Sequence, residues 1–362
     1  MAHSFAPIRG HSLSMKTIDD LDTPALAVDL DVMEANLARM QNYCNAHGLG
    51  LRPHIKTHKI PALAHQQLAL GARGIACQKL GEAEVMADAG IADILIPYNL
   101  VGQRKLERLA ALARRAHVTV AADSADAARP MEAYLAEQGV TVGVVVELTS
   151  ELNRCGVTDA RAAAALAHEI AAGRGLRFRG VMVYPSSAKS MPLVAETLTA
   201  LKAEGLDAEI VSGGSTPTAY QSHEFPGLTE IRPGTYIFND WSYVRQGVCA
   251  IEQCALTVIV TVVSTPTPER VIIDGGSKTF SSDMGYPMGR ILEYPEAVIY
   301  KMSEEHGHLD VSQCPRAPKV GQRLTVIPNH ACGTVNMHNT LIGLRGGNVE
   351  ARWEIAARGR VQ

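Results

Sequence analysis

From about residue 50 onward, short apolar runs of strand length alternate with longer alanine- and leucine-rich stretches of helical period. The short runs are 51–54, 74–78, 93–96, 118–121, 142–147, 178–184, 208–211 and 229–231. The intervening stretches 60–70, 79–89, 103–116, 124–137, 160–172 and 192–204 predict helices. An earlier apolar run, 25–30, reads as a strand. Asp31 then reads as the N-cap of a helix carrying Met33, Leu37 and Met40. Strands separated by helices imply βαβ units and a parallel sheet. Eight such repeats over about 200 residues fit a closed (β/α)8 barrel. After about residue 246 the pattern changes to runs rich in β-branched residues, at 254–263, 270–273, 323–328 and 340–344. The expected organisation is an α/β barrel at 22–245 and a mostly β domain at 246–362 that also takes in 1–21.

Composition adds limits. The chain has 362 residues, 46% hydrophobic and 20% charged, enough to bury a sizeable core in two domains. A net charge of −3 is not the basic footprint of a nucleic-acid binder. No run of 18 apolar residues predicts a membrane span. Residues 1–14 lack the long apolar core of a secretory signal, so a cytoplasmic location is expected. The seven cysteines are odd in number, scattered, and without a CxxC pair. That predicts reduced thiols, most of them buried as small hydrophobes.

The residues that would carry chemistry follow the predicted strands, where a barrel gathers its active groups. The first strand leads into His54-Ile55-Lys56-Thr57-His58-Lys59, which places a lysine between two histidines. A lysine amine at a strand end suits Schiff-base chemistry, although the same nine residues also read as a plain basic loop. Gln78 and Lys79 follow the second strand. Glu147 and Asn153-Arg154-Cys155-Gly156 follow the fifth, and Tyr184-Pro185-Ser186-Ser187 the sixth. Ser212-Gly213-Gly214-Ser215-Thr216 follows the seventh and Arg232-Pro233-Gly234-Thr235-Tyr236 the eighth. Amides and hydroxyls in the last two loops make a phosphate site of a recurrent barrel kind. Facing a strand-end lysine, such a site suggests pyridoxal phosphate. In the β domain, His330 and Cys332 in Pro328-Asn329-His330-Ala331-Cys332 would share a face if they lie on a strand. Imidazole plus thiolate suits Zn²⁺ completed by water or substrate; an incidental pair is the plainer alternative. His338 continues the alternation as a neighbour or an exposed residue.

These segments, in this order, resemble the D-threonine aldolase / D-serine dehydratase family of pyridoxal-phosphate enzymes, with an alanine-racemase-like barrel and a C-terminal β domain. The resemblance runs from about Asp22 to Gly359. It implies Lys56 as the Schiff-base lysine. It implies His54, Gln78, Arg154, Tyr184, Gly213, Gly214, Ser215, Thr216, Gly234, Thr235 and Tyr236 around the cofactor. It implies His330 and Cys332 as ligands of a divalent metal, Zn²⁺ before Mn²⁺ or Mg²⁺, that binds the β-hydroxyl of a D-amino acid. By analogy with the fold, it also implies a homodimer.

The chain departs from the pattern in two places. Aldolases of the family tend to carry His-x-Asp at the metal, and the cysteine form resembles the dehydratases. The histidines that aldolases carry after the sixth strand are replaced here by Tyr184-Pro185-Ser186-Ser187-Ala188-Lys189-Ser190. Lys189 is a candidate substitute, although it reads more readily as a solvated loop residue, and Tyr184 is a further catalytic candidate. The expected function is therefore a lyase that converts β-hydroxy-D-amino acids to a 2-oxo acid and ammonia. Retro-aldol cleavage to glycine and an aldehyde is the alternative. A racemase or a non-catalytic pyridoxal-phosphate carrier is a further one.

Overall fold

The structure is a computed structural model that describes residues 17–362; the expectations for 1–14 and most of 1–21 lie outside the described residues. Two compact units make up the chain. One comprises 38–234 with Gly359–Gln362, and the other 17–37 with Thr235–Arg358.

After a short 3-10 turn, Ile18–Asp20, come β1 (Ala25–Asp29) and α1 (Leu30–Ala46). The cap of α1 lies two residues earlier than expected. The Asp29 carboxylate, not Asp31, accepts the Val32 N–H at 3.0 Å, because the helix already starts at Leu30.

The first unit then strings together β2 (Gly50–Leu51), α2 (Pro61–Ala69), β3 (Ile75–Ala76), α3 (Leu80–Asp88), β4 (Asp93–Asn99) and α4 (Gln103–Ala113). It continues with β5 (His117–Ala122), α5 (Ala125–Glu137), β6 (Val142–Leu148), α6 (Ala160–Ala171), β7 (Leu176–Val183), α7 (Met191–Ala203), β8 (Ile210–Gly213) and β9 (Glu230–Ile231). Each of the eight predicted strands is present. They form one parallel sheet in the order β2-β9-β8-β7-β6-β5-β4-β3. Its two ends meet. Ala76 N–H donates to the Pro53 carbonyl at 2.8 Å and Arg73 N–H to the Leu51 carbonyl at 2.9 Å, which closes a TIM-type barrel. Inward residues Leu95, Ala121, Val145, Met182 and Ile210 pack as one layer. The surrounding helices have real caps: Ser124 accepts from Ala127 N–H, and Asp159 from Ala162 N–H at 2.8 Å.

The second unit continues with α8 (Trp241–Arg245), β10 (Leu256–Thr267), β11 (Arg270–Ile273), β12 (Arg290–Ile291), β13 (Val298–Met302) and β14 (Gly307–Asp310). It ends with β15 (Arg323–Ile327), α9 (Ala331–Val335), β16 (Thr340–Arg345) and β17 (Asn348–Glu354). Its nine-stranded sheet runs β13-β14-β11-β10-β1-β16-β17, with β15 pairing β10 and β12. The strand β1 belongs here, antiparallel to β10 and parallel to β16. Leu21, Ala25, Ala27, Ile259 and Ile342 form a core cluster on it.

All seven cysteines are free, but only Cys44, Cys77 and Cys254 are buried, fewer than composition suggested. Cys155 lies in the exposed loop after β6, Cys249 and Cys314 lie half-buried in bends, and Cys332 lies half-buried in a short helix. No helix among the described residues is long and apolar enough to cross a membrane.

Candidate active site

Lys56 lies in a tight turn, Ile55–Thr57, directly after β2. His54 caps that turn. Its Nδ1 accepts the Lys56 N–H at 3.4 Å, and its Nε2 meets Gln78 Oε1 at 3.0 Å. An accepting Nδ1 assigns the proton to Nε2, so the ring donates to Gln78. Burial first, and the Lys56 charge second, hold His54 well below the ordinary imidazole range. The Lys56 amine makes no ion pair among the described residues and stands 5.6 Å from the centre of the Tyr184 ring. The neighbouring Lys59 amine, by contrast, is tied to Glu82 at 2.9 Å. The Arg154 guanidinium lies over the same Tyr184 ring at 5.4 Å and reaches Glu147 at 3.9 Å. Burial raises the Glu147 carboxyl despite that arginine. Lys56, Tyr184, Arg154 and Glu147 are therefore brought together as the sequence order of the strands requires.

The two glycine loops are neighbours because β8 and β9 pair, Gly213 opposite Ile231. Gly214 has φ +81°, and a Cβ there would stand 2.7 Å from Ile231 Cβ. Its N–H donates to Ser186 Oγ at 2.7 Å, so this amide is not open to an anion, contrary to the expectation for the whole loop. Ser186, in the loop after the sixth predicted strand, is buried and serves as this acceptor. The N–H groups of Ser215, Thr216 and Gly234 have no protein acceptor among the described residues, although all three residues are buried. Orphan amides of this kind need a partner, and a phosphate supplies one. A Cβ on Gly234 would lie 2.9 Å from Thr57 Oγ1 and 3.0 Å from the His54 carbonyl. The loop after β9 therefore packs directly on the lysine turn. An unpaired amine beside unpaired amides fits the aldehyde and phosphate of pyridoxal phosphate.

Beneath the loops runs a buried polar chain that the sequence did not announce. Arg232 donates to Ser212 Oγ and, at 3.1 Å, to the Val183 carbonyl. Ser212 donates to Glu230 at 2.7 Å, and Glu230 accepts from Arg52 Nε at 3.0 Å. Burial lowers Arg232 to about 10 against the pull of Glu230. Lys189 is not part of this assembly. It is exposed, its N–H rests on Ser187 Oγ at 3.2 Å, and it makes no hydrogen bond or ion pair with Lys56 or Tyr184 among the described residues.

The second unit holds the other candidate centre. His330 and Cys332 are not on a strand. His330 is the N-cap residue of α9, and Cys332 sits in its first turn. The helix turn, not strand alternation, brings the imidazole to the thiol. Contact with Cys332 and then with Asp283 raises His330 to about 9, so a cation binding there must displace a proton. Nδ1 of His330 lies 2.6 Å from Asp283 Oδ2. Thr235 and Tyr236 are buried, and the Thr235 hydroxyl is 3.6 Å from the Cys332 sulfur. His338 faces the Thr279 carbonyl at 3.0 Å instead. No group of three ligating side chains converges among the described residues. One imidazole and one thiol fit a borderline cation whose other ligands are water or substrate oxygen.

Comparison with known proteins gives the following. Residues 28–240 match the family described as the N-terminal domain of alanine racemase, and 255–344 match a serine dehydratase domain family. A D-threonine aldolase of Arthrobacter sp is 36% identical over 94% of this chain and 93% of its own length. A D-threo-3-hydroxyaspartate dehydratase of Delftia sp. (strain HT23) is 34% identical over 96% and 97%. The structure of the Delftia enzyme superposes with a TM-score of 0.84, covering 94% of this chain and 99% of that one at 32% identity. Two variants of that dehydratase are also known, one with a histidine changed to alanine and one with a cysteine two positions later changed to alanine, the latter in a metal-free form. The D-threonine aldolase of Filomicrobium marinum superposes with a TM-score of 0.91 at 35% identity, over 99% of this chain and 100% of that one.

Proposed function

Because the chain belongs to the D-threonine aldolase / D-serine dehydratase family of pyridoxal-phosphate-dependent lyases, we propose that it dehydrates a β-hydroxy-D-amino acid, yielding a 2-oxo acid and ammonia. The observation that carries this reading over its rival is the pairing of His330 with Cys332 on one turn. The residue types and the spacing of two match the pair altered in the Delftia dehydratase.

When bound, pyridoxal phosphate stores the electron pair left at Cα, and a divalent metal acts as Lewis acid on the β-hydroxyl oxygen. The protein's own groups do the rest. Ser215, Thr216 and Gly234 amides would hold the phosphate. Lys56 would hold the aldehyde carbon, and its amine would take the proton from the substrate Cα. Its amine is suited to this because no carboxylate among the described residues pins it. The Tyr184 ring and the Arg154 guanidinium over it wall the same space. His54, neutral and locked between the Lys56 N–H and Gln78, keeps the lysine turn in one geometry. His330 and Cys332 would hold the metal. Loss of the Cα proton and the β-hydroxyl as water leaves an enamine that hydrolyses to the products.

Aldol cleavage is the second reading, favoured by the high likeness to two D-threonine aldolases. Product analysis on D-threonine separates the two. Dehydration yields 2-oxobutanoate and ammonia, whereas glycine and acetaldehyde would overturn the proposal.

A further inference from the structure

The His330 backbone, with φ −140° and ψ 102° at the N-cap of α9, does not by itself fix the direction of its ring. A carboxylate does. Asp283 Oδ2 lies 2.6 Å from His330 Nδ1, the length of a charge-assisted bond. The second oxygen, Oδ1, is taken by the Ser281 hydroxyl. Ser281 is buried and packed against α9; a Cβ on Gly333 would stand 2.4 Å from its Oγ. The loop carrying Asp283 is thus keyed to the helix turn that carries Cys332. On the other side of the turn, Asp240 accepts the Ala331 N–H at 3.1 Å and the Tyr243 N–H at 3.1 Å, so its carboxylate is also engaged.

From this geometry we infer that Asp283 is a positioning residue of the metal centre. It holds the His330 ring so that Nε2, the nitrogen left over, is presented to a divalent cation beside the Cys332 sulfur. The inference rests on the reading of His330 and Cys332 as the metal ligands. Both oxygens of Asp283 have protein partners, so it orients a ligand and is not one itself. Outer carboxylates of this type fix the tautomer and ring angle of a ligating histidine, and their removal costs roughly 10–100-fold in metal affinity. Asp283 is about half exposed at 49%, so replacing it leaves no buried hole.

The test is equilibrium dialysis of the cofactor-loaded enzyme against Zn²⁺, with X-ray absorption at the zinc edge on the saturated protein. Asp283→Ala should weaken zinc binding about 10–100-fold. Asp283→Asn, which keeps an oxygen facing Nδ1, should recover part of that loss. Both should keep the sulfur neighbour in the zinc spectrum. Zinc affinity of Asp283→Ala within twofold of the unaltered protein, while His330→Ala loses binding, would overturn the positioning role. Loss of an oxygen neighbour in Asp283→Ala would also overturn it, by making Asp283 a ligand. If neither His330→Ala nor Cys332→Ala weakened binding, the ligand assignment itself would fail, and this inference with it.

Discussion

At the scale of single residues, the lysine turn is built from two neutral buried histidines. His54 contacts Gln78, and His58 is held between Gln67 at 3.2 Å and the Ile60 N–H at 3.1 Å. Burial keeps His58 near 4 and His54 well below the ordinary 6.5. The unfolded chain therefore binds protons that the native one refuses, from pH 6.5 down to about 4. These two histidines add no slope above that window, where the raised His330 erodes stability as pH climbs towards 9, and through them stability should fall as the pH drops through the window, by up to about 1.4 kcal/mol per pH unit for each. Urea unfolding across the range checks this, and His58→Gln should flatten the slope. A midpoint indifferent to pH over the window would contradict it. Lys56, Arg154 and the glycine loops were legible in the sequence because each directly follows a strand end, and strand ends are where barrel chemistry gathers. Asp283 was not, because it is an ordinary polar loop residue whose importance comes from a partner 47 residues on; for Ser186 the loop was legible, but not its bond to the Gly214 N–H 28 residues on.

At the scale of elements, the eight barrel strands could be read from their apolar runs, because both faces of a parallel strand are covered. The β unit was harder. β10, β11, β15 and β16 carry solid apolar runs. β12 is two residues long, and β17 only alternates between exposed and half-buried positions. Nor does the pattern reveal that β1 joins β10 and β16, since sheet pairing across more than two hundred residues leaves no local signal. His330 and Cys332 illustrate the same limit. Their spacing brought them together, but a helix turn does so where a strand was expected. Barrel closure itself makes a prediction. Glu230, 1% exposed at the start of β9, binds Arg52 next to β2 and Ser212 on β8. Glu230→Ala would leave the buried Arg52 with only Asp93, at a cost of about 3–5 kcal/mol in unfolding free energy. Denaturant titration measures it. A loss below 1 kcal/mol would show that the network is not holding these strands together.

At the scale of the whole molecule, the proposed chemistry is divided between two kinds of group. As proposed, amides and an amine without protein partners among the described residues would receive the cofactor in the barrel, and an imidazole–thiol pair in the β unit would receive the cation. Likeness to relatives settles the family and leaves the reaction open, because an aldolase at 36% identity and a dehydratase at 34% are nearly equidistant. What singles this chain out is its own side chains. The central claim is that the amine of Lys56 carries the cofactor. Borohydride reduction of the loaded enzyme, followed by peptide mass mapping, tests it most directly. The account predicts the pyridoxyl-phosphate mass on the peptide containing Lys56 and its disappearance in Lys56→Ala. The same mass on Lys59, Lys79 or Lys189, or no adduct at all, would contradict it.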